Sequence, residues 1–202
     1  FEDQAMTHVI VQEKLPVRIF TLDTGRLFEE THKLSQDTRE KYNVNIETYA
    51  PRGVEVQDYI SKFGTNGFYK SVENRKECCR VRKVVPLARA LEGVDIWISG
   101  LRREHSDMRK DLKVAEWDAR DNVIKLYPLI DVSSDELWAF IKANDVPYNA
   151  MHDKGFPSIG CAPCTRAITA GEPQRAGRWW WEQNGAQECG LHMVDGKLMR
   201  IE

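Results

Sequence analysis

Apolar positions follow two periods along the chain, and the change from one to the other marks out the elements. Met6, Val9 and Ile10 recur at helical spacing, which predicts a helix within Phe1 to Gln12. After Pro16, Val17-Arg18-Ile19-Phe20-Thr21-Leu22 has strand composition and ends in Asp23-Thr24-Gly25. Leu27 to Tyr42 then reads as a helix with Leu27, Thr31 and Leu34 on one face and charge opposite. Val44 to Tyr49 predicts a second strand, and Val54 to Phe63 a further helix. The apolar run Asp95-Ile96-Trp97-Ile98-Ser99 predicts a buried strand, broken at Gly100. Ser133 with Glu136 forms a capping box ahead of Leu137, Phe140 and Ile141. Beyond Gly155 the periodicity fades, and loop and tail are expected.

Strands alternating with helices of this length imply βαβ units, an α/β fold and a mostly parallel sheet. In open sheets of this kind ligands bind outside the carboxyl ends of the strands. Asp23-Thr24-Gly25-Arg26 follows one strand and Gly100-Leu101-Arg102-Arg103 follows another. If both strands share a parallel sheet, Arg102, Arg103 and Arg109 would face a pocket beside the amides of a helix N-terminus, a natural anion site.

Composition narrows the classes. The 202 residues, 42% hydrophobic, suit one compact domain over residues 1–202, with 167–202 as its C-terminal segment. A net charge of −2 gives no bulk field for nucleic acid. No apolar run approaches the roughly 20 residues that cross a bilayer. The chain opens on Phe1 rather than Met, so its native start is expected upstream.

The five cysteines change the picture most. Cys78-Cys79 and Cys161-Ala162-Pro163-Cys164 supply four thiols, the usual complement of an iron–sulfur cluster or a structural zinc. Zinc pairs usually bracket a tight turn, which adjacent cysteines suit poorly because neighbouring side chains diverge. The spacing points to metal ligation in a reducing compartment. Cys189 is left over, with His192 three residues on; it reads as a nucleophile or as an incidental surface thiol. Trp179-Trp180-Trp181 cannot all share one helical face, so at least one is expected to be exposed or to meet a ligand. Arg175 and Arg178 beside them suit phosphate or sulfate. His8, His32 and His105 read as structural or solvent-exposed, and Asp23 as a ribose contact or a turn cap.

With these motifs assembled, the chain resembles the iron–sulfur type of adenylyl-sulfate (APS) reductase within the phosphoadenylyl-sulfate (PAPS) reductase family. The resemblance rests on Leu22-Asp23-Thr24-Gly25-Arg26, Glu77-Cys78-Cys79 with Arg82-Lys83, and Gly100-Leu101-Arg102-Arg103. Ile159 to Arg166, Arg178 to Trp181 and Glu188-Cys189-Gly190-Leu191-His192 complete it. It implies a Rossmann-like, adenine-nucleotide α-hydrolase-like fold and one 4Fe–4S cluster on Cys78, Cys79, Cys161 and Cys164. It implies that Cys189 is the catalytic nucleophile on a mobile tail. Lys83, Arg109, Arg175, Arg178 and His192 would then contact the phosphosulfate region and Leu22 to Arg26 the nucleoside, with Arg102 also expected to bind substrate. The implied reaction reduces APS to sulfite and AMP through a Cys189 S-sulfonate, in cytoplasmic sulfate assimilation by a homo-oligomer. The four ligating cysteines leave no second thiol to resolve that intermediate, so an external dithiol such as thioredoxin is required. The family's phosphate-binding loop would precede Glu2-Asp3. Ser106-Asp107-Met108-Arg109 departs from the family in lacking a proline after the serine. The rival readings are reduction of PAPS, an ATP-pyrophosphatase-type ligase or sulfurtransferase, and a non-catalytic metal-binding module.

Overall fold

The computed structural model describes residues 1–105 and 109–182, with the backbone of 193–194 and 197–199. Its packing divides into two units. The first comprises Phe1–Phe20, Glu29–Glu47 and Leu91–Lys154; the second comprises Thr21–Phe28, Thr48–Ala90 and the chain from Gly155.

Strand β1 (Ile19–Leu22) pairs with β2 (Ile46–Tyr49). Both begin later than the sequence pattern predicts and end where it does. The first unit holds α1 (Glu2–Gln12), α2 (Glu29–Tyr42) and α6 (Ser134–Ala143). It also holds a three-stranded sheet ordered β3 (Ile96–Ile98), β5 (Val123–Leu126), β4 (Ala115–Asp118). β3 runs parallel to β5 and β4 antiparallel to it, so β1 and β3 belong to separately bonded sheets. The expected capping box starts α6: Glu136 N–H donates to Ser133 Oγ and Ser133 N–H to Glu136 Oε2 at 2.9 Å. Ala5 of α1, Leu137 and Ile141 of α6, and Val146 make one core, with Phe1 stacked on Trp138 beside it.

Two details depart from the pattern. On α1 the buried residues are Ala5 and Thr7, whereas Val9 is exposed. Thr7 can go inside because its hydroxyl donates to the Asp3 carbonyl, which removes the cost of burying it. On β3 only Trp97 is buried; Ile96 is 51% exposed. Alternation along the strand sends Trp97 to the covered face, where the Lys125 ammonium lies over its ring, and sends its neighbours to the other face.

The second unit contains α3 (Gly53–Phe63) and one long helical stretch that the apolar pattern does not announce. That stretch runs through α4 (Val72–Cys79), a π-helical turn (Arg80–Val84) and α5 (Val85–Ala90). Ser71 starts it, accepting from Asn74 N–H at 3.1 Å. Beyond Gly155 the described residues are largely irregular as expected, apart from a short 3-10 turn at Ala162–Cys164 and a pairing of β6 (Met193–Val194) with β7 (Lys197–Met199).

Candidate functional site

The core of the second unit is built around sulfur. Cys78, Cys79, Cys161 and Cys164 are buried together with Tyr59, Phe68, Val81 and Trp179, and none of the four is in a disulfide. The tandem pair ends α4, and the wider π turn that follows changes the direction in which the next side chains project. Cys161 and Cys164 bracket the 3-10 turn, closed by Cys164 N–H donating to the Cys161 carbonyl at 2.9 Å. All four cysteines line one pocket, whose remaining wall is Arg26, Phe68, Arg75, Arg82, Lys83 and Pro163.

The loop after β1 locks the two cysteine motifs together. Thr24 is 1% exposed, and its Oγ1 lies 3.2 Å from Cys161 Sγ. Its carbonyl accepts from Arg82 Nη1 at 2.7 Å, and the Arg26 carbonyl accepts from Ala162 N–H at 2.8 Å. Asp23 acts as a turn cap here, its Oδ1 accepting from Gly25 N–H at 2.8 Å. Gly25 takes φ +66°, and a Cβ there would stand 3.4 Å from the Arg82 guanidinium, so glycine suits both the turn and the approach. Leu22 ends β1 immediately before this loop.

Arg178 and Trp179 close the core from the C-terminal side. Thr165 and Arg178 form an isolated antiparallel bridge, and Trp179 N–H donates to the Cys164 carbonyl. Arg178 is buried, its guanidinium over the Trp179 ring at 4.6 Å and near Ser158 and the Ile159 carbonyl. Arg175 is half-buried one turn earlier, its carbonyl accepting from Arg178 N–H. Glu182 anchors the segment through a fully buried two-pronged pair with Arg75 at 2.8 and 2.9 Å. The Arg75 guanidinium also lies over the Trp179 ring at 4.7 Å.

Electrostatics here oppose free thiolates. Burial pushes the Cys164 thiol up to about 12, with Cys161 adding to the effect and Lys83 and Arg178 opposing it. Burial also raises Cys78, against the pull of Arg82. Thiols in this setting lose their protons only to something that replaces them with positive charge, as a metal does. Among the described residues, no group of three or more His, Cys, Asp and Glu is arranged to hold a metal ion. The sulfurs instead line the walls of a shared pocket. Two buried donors in this core, Trp179 Nε1 and Arg178 Nε, have no acceptor among the described residues. Four thiols, cationic walls and unmatched N–H donors fit an acceptor-rich, negatively charged group such as a thiolate-held cluster.

Of the residues predicted from sequence, Arg26, Lys83 and the four cysteines meet at this pocket, with Thr24, Gly25 and Arg178 packed against it. Arg102 and Arg109 belong to the first unit. Arg102 is fully buried, its guanidinium donating to Glu2, Glu104, Ser134 and the Val132 carbonyl and lying 2.9 Å from His105 Nε2. Arg109 approaches His105 Nδ1 at 3.1 Å. Glu2 is held well below the usual carboxylate range: burial, the largest single influence, works against this, but hydrogen bonds and nearby charges led by His105 together outweigh it. Cys189, His192 and Ser106-Asp107-Met108 lie outside the described residues. Sequence reasoning missed the Thr24–Cys161 contact, the Arg82–Thr24 bond and the Arg75–Glu182 pair. All three join positions more than fifty residues apart, and no local pattern carries them.

Residues 1–167 match the model of the phosphoadenosine phosphosulfate reductase domain. The adenosine 5'-phosphosulfate reductase of Allochromatium vinosum is 54% identical over 95% of this chain and 75% of its own length. The protein of that name from Agrobacterium fabrum is 48% identical over 96% of this chain and 74% of its own. Among solved structures, the phosphoadenylyl-sulfate reductase of Candida auris in its phosphate complex superposes with a TM-score of 0.69. It is 27% identical and covers 83% of this chain and 78% of that one. The FMN adenylyltransferase of Candida glabrata, bound to FMN and an ATP analogue, is 14% identical with a TM-score of 0.52, covering 86% of this chain and 56% of its own. That likeness is one of fold alone, and it agrees with the expected adenine-nucleotide α-hydrolase-like class. A domain match running through both cysteine motifs, and relatives sharing about half their residues over nearly the whole chain, establish that the protein belongs to the phosphoadenosine phosphosulfate reductase family.

Proposed function

We propose that this chain reduces adenosine 5′-phosphosulfate to sulfite and AMP, with Cys189 as nucleophile and a protein dithiol of the thioredoxin type as reductant. The observation that carries the reading is the partition of thiols: four of the five cysteines line one cation-walled pocket, which leaves Cys189 for chemistry. The choice of substrate is supported by the name shared by the half-identical relatives.

In the first step the Cys189 thiolate attacks the sulfur of the substrate. The bond between that sulfur and the bridging oxygen breaks, AMP leaves with the electron pair, and Cys189 carries an S-sulfonate. Charge builds on the phosphate as the bond breaks, and both partners are anions from the start, so fixed cations lower the barrier. Lys83, Arg109, Arg175, Arg178 and His192 supply them. The Leu22 to Arg26 loop supports the nucleoside. Arg102, enclosed by Glu2 and Glu104, acts at one remove by orienting His105 against Arg109. In the second step a thiolate of the external dithiol attacks Cys189 Sγ, sulfite departs and a mixed disulfide forms. The second thiol of the donor then frees Cys189, so the donor's two thiols become one disulfide and supply the two electrons.

Cys78, Cys79, Cys161 and Cys164 would hold a 4Fe–4S cluster, which when bound supplies a rigid crosslink of the two motifs and a fixed charge beside the site. Thr24 orients Cys161, while Trp179 and Arg178 pack in the same core with buried N–H groups left unmatched among the described residues. Buried cysteines outside any disulfide fit a reducing compartment such as the cytoplasm. No helix of the described residues is long and apolar enough to cross a membrane. A homo-oligomeric assembly belongs to the same reading. Sulfite release from APS and from PAPS, measured with thioredoxin on anaerobically purified protein, tests the proposal. Release from APS alone is expected; a preference for the 3′-phosphorylated substrate would favour PAPS reduction, and no release from either would refute both.

A further inference from the structure

In the second unit, the large apolar side chains left exposed among the described residues are Val54, Tyr69 and Trp180. Scattered exposure of this kind is ordinary, but two of the three are not scattered. Tyr69 and Trp180 are each 42% exposed and meet edge to face, with ring centroids 6.5 Å apart. Trp181 braces both, at 4.5 Å from Tyr69 and 4.9 Å from Trp180. The Tyr69 hydroxyl donates to the Pro163 carbonyl at 2.7 Å, which fixes the pair to the Cys161–Cys164 turn.

The backbone is shaped to present this pair. Trp179 has φ +44°, a left-handed conformation that a bulky residue rarely adopts. It is pinned there by its N–H bond to Cys164 and by Glu182 N–H donating to its own carbonyl. The result sends Trp179 inside, at 1% exposure, and the next ring out.

We propose that Tyr69 and Trp180 are the docking platform for the protein dithiol that releases sulfite from Cys189. This rests on the function proposed above. Cys189 is the seventh residue beyond Glu182, whose side chain is locked to Arg75. Seven extended residues span at most about 25 Å, so the reductant must bring its dithiol within that radius of Glu182, two residues beyond Trp180. A carboxylate beside an attacking thiolate would repel it and raise its pKa, which favours an uncharged rim around the donor's reactive sulfur. Such a rim seats on rigid aromatic anchors, the side chains that most often dominate binding energy at interfaces.

The test uses the full-length enzyme, wild type and the variants Trp180→Ser, Trp180→Glu and Val54→Ser. Three quantities are read: the KM for thioredoxin, the rate of sulfite release with dithiothreitol, and S-sulfonate formation without reductant. For both Trp180 variants the KM for thioredoxin should rise about tenfold or more, while the other two readouts and all three of Val54→Ser stay at wild-type values. Intact turnover with dithiothreitol also shows that the variants fold. An unchanged KM for thioredoxin overturns the proposal, and so does an equal loss with both reductants. Dissociation of an oligomer by Trp180→Ser with the KM unchanged would assign the patch to a second copy of the chain and likewise overturn it. If the wild type itself forms no S-sulfonate, the proposed function fails, and the docking platform with it.

Discussion

At the scale of single residues, two glycines are set by what occupies the place of a side chain. A Cβ at Gly177 would stand 2.2 Å from the Arg166 carbonyl oxygen, a backbone atom that cannot give way. Gly177→Ala should therefore break the bridge between Thr165 and Arg178 and destabilise the protein by about 3 kcal/mol, read as a lower denaturant midpoint. At Gly160 the obstacle is the Arg178 guanidinium, 2.2 Å away at its nearest nitrogen. That group is buried, so Gly160→Ala should displace it and lower kcat more than stability. Cysteines are the residues whose meaning is most open to a reader of the sequence, because thiol chemistry constrains spacing. The partners of those cysteines are not open in this way. Thr24 looks like any turn residue, and Trp179 like its two neighbours; only the folded chain distinguishes the inward ring from the outward one.

At the scale of elements, the helical stretch from Val72 to Ala90 was not legible because its exposed positions, Glu73, Lys76 and Arg80, are charged and its course is interrupted by the π turn. Burial does recur at helical spacing there, at Arg75, Cys78, Cys79, Arg82, Pro86 and Ala90, but arginines and cysteines hold most of those positions in place of aliphatic side chains. Strands β4 and β5 escaped for a related reason: Trp117 and Ile124 face solvent while Lys125 and Asp118 are buried as an ion pair, the reverse of the usual alternation. By contrast α6 was legible to its first residue, since its capping box is local. The Arg75–Glu182 pair ties this helical stretch to the segment after the tryptophans. Removing one partner leaves an uncompensated buried charge, so Glu182→Ala should cost roughly 3–5 kcal/mol, whereas Arg75→Met combined with Glu182→Leu should recover most of it. A second prediction concerns the first unit. Burial holds His105 below its ordinary value of 6.5, with Glu2 pulling the other way. The unfolded chain thus takes up a proton at a pH where the folded chain does not, so acid favours unfolding. The melting temperature should fall as pH drops through the window just below 6.5, and His105→Gln should flatten that slope.

At the scale of the whole molecule, the α/β class and the alternation of strands and helices were legible because they follow from period and length. The division into two compact units was not, since both units draw on three separate stretches of chain. That division has a consequence for the proposed cofactor. A group held by Cys78, Cys79, Cys161 and Cys164 stabilises the unit that contains them. Stripping iron with a chelator should lower the melting temperature and speed amide exchange in residues 72–90 and 159–181, with far less change in α1 and α6. Equal loss of protection in both units would contradict a local structural role. The account as a whole turns on the separate duty of Cys189, and one measurement reaches it directly: mass spectrometry of the enzyme mixed with APS in the absence of any reductant. The account predicts one added SO3 group on the peptide carrying Cys189 and none on the other four cysteines; an unmodified Cys189 peptide, or full turnover by Cys189→Ser, would contradict it.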